Sequence, residues 1–176
     1  ASPKEPDRLA EEGLLREGSR RTIATNRIVV LVPASTEPPA APAELASPRY
    51  DRIAMGNPRT APVGRYAERG LELAGLLETL RPRLVLAENA RQVLVYVARG
   101  EVAAGLLYHS DARIMAGRVV VGPELPADPE RPILYQAVVL AGAREPELAL
   151  RFQELIGSAD GQAILERHGF LPAPTP

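Results

Sequence analysis

Two strand-to-helix turns and a tyrosine that closes a strand limit what this chain can become more than anything else in it. The first turn runs Arg52-Ile53-Ala54-Met55-Gly56-Asn57-Pro58 and continues Ala61-Pro62-Val63-Gly64-Arg65-Tyr66-Ala67. The second is Leu84-Val85-Leu86-Ala87-Glu88-Asn89-Ala90-Arg91-Gln92. The tyrosine is Tyr108, in Ala104-Gly105-Leu106-Leu107-Tyr108-His109-Ser110-Asp111-Ala112. Pro62 stands where a first helical turn tolerates proline, and Asn89 is placed to cap the second helix. Helix starts present backbone N–H groups without intrahelical partners at the positive end of the dipole. Two such starts facing one cleft, with a phenol as a neutral donor beside them, suit capture of a small anion rather than catalysis.

The rest of the pattern fits around these turns. Apolar runs predict strands at 27–33, 53–55, 84–86, 102–108, 119–121 and 133–140. Helical spacing predicts a short helix at 7–17 and one long amphipathic helix from Pro62 through Leu77. Further helices are expected behind Asn89, with Ala90, Val93, Leu94 and Val97 as the buried stripe and Gly100 ending it, then at 148–156 and 161–167. Residues 33–48 carry five prolines and read as a linker or hinge, with a helical turn at most near 43–46. Strands alternating with helices predict an α/β architecture with mostly parallel sheets. Ligands in such sheets sit beyond the carboxyl ends of strands, and Val63, Ala90 and Tyr108 all fall there.

Composition narrows the function classes. The net charge is -1 and the pI about 6.2, so there is no basic field for nucleic acid or an anionic membrane surface. An anion site here must work through local dipoles. Cysteine is absent, which excludes thiol catalysis, thiolate metal sites and disulfides. No apolar run approaches the roughly 20 residues of a membrane span, and stable insertion is not expected. Aromatic content of 4% without tryptophan argues against stacking platforms. The two histidines, His109 and His168, form no metal-ligand spacing. Gly56, Gly64 and Gly105 make neither a dinucleotide fingerprint nor a phosphate loop, and no serine–histidine–acid arrangement is indicated. An enzyme is therefore disfavoured. Arg65 and Arg91 read as solvated or lobe-bridging, Glu88 as favouring its helix start, and Asp111 as a cap or loop brace.

Taken in order and spacing, these stretches resemble the periplasmic molybdate-binding proteins of ABC transporters. That family is a branch of the type II periplasmic binding fold. Arg27-Ile28-Val29-Val30-Leu31-Val32-Pro33, the two turns, the Tyr108 segment, Arg167-His168-Gly169-Phe170 and the opening Ala1-Ser2-Pro3-Lys4 carry the similarity. The resemblance implies two lobes with mostly parallel sheets. Residues 1–34 and 134–176 would form the first lobe, and residues 35–133 the second. It implies a tetrahedral oxyanion, molybdate or tungstate, held by neutral hydrogen bonds, with no cofactor and no directly coordinated metal cation. The donors carried over are the backbone N–H of Val63, the backbone N–H of Ala90 and the Tyr108 hydroxyl. Asn57 and Asn89 stand where relatives often have aspartate. An ABC permease as partner and a periplasmic or lipid-anchored extracytoplasmic location follow from the same resemblance.

The family's N-terminal serine-rich turn has no counterpart in this sequence, so the first lobe is expected to be incomplete. Ser2 is not expected to replace it. Exposed sheet edges would then favour self-association. Two further expectations stand beside transport: a ligand-sensing domain of a transcription regulator, and a fragment that binds nothing tightly.

Overall fold

The structure is a computed structural model that describes residues 4–173. Ser2, its neighbours Ala1 and Pro3, and the last three residues of the proline-rich tail lie outside the described residues. The chain divides into two compact units: one runs to Asn26 and resumes at Ile133, the other is Arg27–Pro132.

The central unit is built on a five-stranded sheet in the order β4-β3-β5-β2-β6. Its strands are β2 (Ile28–Pro33), β3 (Ile53–Gly56), β4 (Leu84–Ala87), β5 (Ala104–Tyr108) and β6 (Val119–Glu124). β3 runs parallel to β4 and β5, whereas β2 is antiparallel to both β5 and β6. Four strands therefore point one way and β2 alone opposes them. Continuous apolar sequence makes β2 suited to an inner position, and Val29 through Val32 are buried there.

This pairing moves an expected boundary. Residues 27–34 were placed with the first lobe, yet β2 is hydrogen-bonded on both sides within the central sheet, so they group with Arg27–Pro132.

Helices fill the connections: α2 (Pro62–Leu73), α3 (Leu77–Leu80), α4 (Ala90–Ala98) and the short α5 (His109–Ala112). The long helix expected through Leu77 stops at Leu73. Gly75 there takes a left-handed φ of 68°, its N–H bonds Glu72 O, and the Leu76 N–H reaches back to Leu71 O. That pair of bonds closes a helix on glycine, and Gly100 ends α4 the same way. The proline-rich stretch contains the expected helical turn as a 3-10 helix, Pro42–Ala46, which buries Leu45.

The other unit contains α1 (Lys4–Glu11), β1 (Arg21–Thr25), β7 (Leu134–Ala137), α6 (Pro146–Gly157) and α7 (Ala159–Arg167). Its two strands pair antiparallel, Thr25 opposite Leu134 and Arg21 opposite Ala137. The helix expected over 7–17 lies earlier in the chain, because Gly13 and Gly18 both adopt left-handed backbone. The strand expected over 133–140 is four residues long, and Leu140 joins only an isolated bridge to Leu15. A buried polar joint holds the end of this unit's sheet. Val139 N–H donates to Ser19 Oγ, and Gln153 Nε2 donates to Ser19 O.

Candidate functional site

β4, β3 and β5 are adjacent and parallel, so their carboxyl ends share one rim. Gly56 pairs with Ala87, and Met55 pairs with Leu106, two residues before Tyr108. α2 begins just beyond β3 and α4 just beyond β4, and β5 ends on Tyr108. The sheet thereby brings Val63, Ala90 and Tyr108 to the same end of the central unit.

Accounting for the helix-start amides shows what each turn offers. At α2, Pro62 has no N–H, and the amides of Gly64 and Arg65 both return to Ala61 O. The Val63 N–H is the one left without an acceptor in the described residues. At α4, Asn89 Oδ1 accepts the Gln92 N–H at 3.0 Å and Asn89 O accepts the Val93 N–H. The amides of Ala90 and Arg91 remain open. Gln92 stiffens this turn further, accepting the Glu88 N–H at 2.8 Å and donating to the Tyr96 hydroxyl at 2.8 Å.

Two glycines that carry no fingerprint in the sequence set the first turn. A Cβ on Gly64 would run into the Gly56 carbonyl, and one on Gly56 would run into Val63 Cγ1 and the Gly64 amide. The end of β3 and the start of α2 thus touch backbone to backbone. Asn57 completes the joint: its N–H bonds Ala87 O at 2.7 Å, and its carbonyl accepts from Thr60 and Ala61. That contact locks the β3 turn to the β4 turn. No local pattern in the sequence marks Gly56, at the end of β3, and Gly64, in the first turn of α2, for this role.

Tyr108 is 9% exposed and packs edge-on against Tyr66 of α2, ring centroids 6.4 Å apart. Asp111 braces its backbone: the carboxylate accepts the Tyr108 N–H from the third position of α5. Burial pushes the Asp111 carboxyl up to about 6, against the lowering effects of that N–H and of Arg91. The side chains of Arg65 and Arg91 are exposed. His109 and His168 belong to different units, and among the described residues no group of three or more metal-ligating side chains exists. No described helix is long and apolar enough to cross a membrane.

A family model for bacterial extracellular solute-binding proteins matches residues 1–171. The chain belongs to that family. Among solved structures, the chain is similar to the periplasmic molybdate-binding protein of Azotobacter vinelandii. The identity is 27% and the TM-score 0.78, over 99% of this chain and 77% of that one. The fold is the type II periplasmic binding fold. Among curated sequences, it is 34% identical over 119 residues to the molybdate-binding protein ModA of Escherichia coli, covering 68% of this chain and 46% of that protein. The ModA protein of Haemophilus influenzae is 26% identical over 174 residues, covering 97% of this chain and 68% of that one. The chain spans about half to two thirds of the length of the curated relatives it matches.

Proposed function

We propose that this chain is the substrate-binding component for molybdate, and for tungstate, in uptake by an ABC permease outside the cytoplasm. The observation carrying the reading is the parallel β4-β3-β5 trio, whose helix starts leave the Val63 and Ala90 amides open at the same rim as Tyr108. Molybdate-binding relatives at 26–34% identity give the ligand class. In this reading Val63 N–H, Ala90 N–H and the Tyr108 hydroxyl replace part of the hydration shell of a four-oxygen dianion.

Neutral donors suit this work. A fixed amide at a helix start stabilises negative charge through the dipole without demanding a counter-ion, and the net charge of -1 supplies none. Selectivity follows from rigidity. The Gly56–Gly64 contact and the Asn57–Ala87 bond hold the amides in place, so one metal–oxygen length fits better than the shorter bonds of sulfate. Donors held this firmly need little reorganisation on binding.

Isothermal calorimetry of the full chain tests the assignment. Saturable heat with molybdate and with tungstate, and none with sulfate, is the expected result. Heat with sulfate alone overturns it.

A further inference from the structure

One half-buried titratable group, Asp111, lies at this rim outside the proposed donor set. Asp111 is the third residue of α5, and Tyr108 is that helix's N-cap. Its carboxylate accepts the Tyr108 N–H, the return half of a capping box. Its Oδ2 is shielded from solvent with no hydrogen-bond partner among the described residues. Arg91, the residue after Ala90, acts on it through charge. The carboxylate is therefore bonded to the residue bearing one proposed donor and coupled by charge to the neighbour of another.

We infer that Asp111 is a positioning residue whose charge sets the affinity of this rim for an oxyanion, so that anion binding is coupled to proton uptake. The inference rests on the anion-binding reading above. The anion's metal is enclosed by its own oxygens, so none of these groups is a metal ligand. Ionised Asp111 opposes a dianion in two ways: it repels it directly, and it neutralises Arg91. Protonation removes both effects while the α5 turn keeps its place.

The switching range follows from the environment, because burial holds the carboxyl near 6, within reach of modest changes in external pH. Linkage works in the same direction: a bound dianion makes Asp111 harder to ionise and raises its pKa further. The surroundings supply few competing charges. α5 packs against β5, α4, β2, β6 and the 3-10 turn Arg113–Met115. β5 brings Tyr108 and α4 brings Arg91. Arg27, just before β2, and Glu124 of β6 are paired with each other. His109 shares α5, and Arg113 follows it.

Calorimetry of the full chain with sodium molybdate between pH 8 and pH 5.5 tests this. Affinity is expected to rise about tenfold as pH falls, the size of one nearby charge acting through partly solvated protein. Near pH 6.5 the heat should depend on buffer ionisation enthalpy, reporting proton uptake. Asp111→Asn keeps an oxygen for the Tyr108 N–H and is expected to flatten the profile at its tight end, whereas His109→Gln should leave the profile intact. Should Asp111→Asn fail to fold, carboxyl NMR of the unaltered chain reads the Asp111 pKa with and without molybdate. A rise on binding supports the coupling. Molybdate heat that does not change with pH, a profile carried by His109, or an Asp111 pKa unmoved by molybdate overturns it and leaves the anion site standing. Absence of molybdate heat at every pH removes the anion site and this inference together.

Discussion

The two units solve the burial problem to different degrees. In the central unit β2, β3 and β5 are buried along nearly their whole length, and Leu31, Ile53, Leu71, Leu80, Leu94 and Leu106 are at 0% exposure. Of the buried apolar side chains described, only Ala24, Ile133 and Val139 belong to the other unit. That unit holds together through hydrogen bonds around Ser19 and Gln153, while Leu148, Phe152 and Leu155 line one exposed face of α6. The difference teaches where rigidity is available. A site whose donors must not move is built on the unit with a filled core, and all three proposed donors are there.

The sharpest way to break this comparison is a matched pair of truncations. Leu31→Ala removes a fully buried side chain and is expected to cost about 2–5 kcal/mol in denaturant unfolding. Phe152→Ser alters a side chain that is 61% exposed, and should change stability by less than about 0.5 kcal/mol. Equal losses of stability from the two would erase the distinction.

Gly64→Ala comes next. Its methyl group would meet the backbone of Gly56 and Asn57, which cannot swing aside, so a loss of about 1–3 kcal/mol is expected in thermal melts. Molybdate affinity should fall with it, because the Val63 amide moves.

Asp111→Asn should act with the opposite sign. In the fold the carboxyl titrates at about 6 against an ordinary 3.8, so folding favours its protonated form. Its contribution is complete below pH 3.8 and is lost as pH rises through 6. The variant should therefore be about 1–2 kcal/mol more stable than the parent at pH 7.5, with the gain vanishing toward pH 4. A gain independent of pH would contradict this. The smallest effect is expected from Asn89→Ala, which removes the acceptor for Gln92 N–H and should cost about 1 kcal/mol.

How much could be read from the sequence tracks the same contrast. β2, both helix starts, the Asn89 cap and the Gly100 stop were legible, because buried strands and capped helices write themselves in composition and spacing. β1 was not anticipated: Arg21-Thr22-Ile23-Ala24-Thr25 buries only Ala24, so no apolar period marks it. The overrun of α2 came from reading Ala74 and Leu77 as continuing the stripe past Gly75. Apolar spacing alone cannot register the left-handed turn taken there. The unit boundary failed for a different reason. Whether β2 pairs with one unit or the other is decided by long-range partners, Tyr108 opposite Ile28 and Val121 opposite Leu31, which local pattern does not carry. At the proposed site, the positions of Val63, Ala90 and Tyr108 followed from the turns. The fixing of those turns by Gly56, Gly64 and Asn57 is a matter of backbone approach and became visible only in three dimensions.

The most direct measurement follows the backbone amides themselves. In an isotope-labelled sample of the whole chain titrated with molybdate, the resonances of Val63 and Ala90 are expected to shift together and saturate at one equivalent, with sulfate leaving both in place. Saturable molybdate binding that shifts amides elsewhere while these two stay fixed would contradict the account.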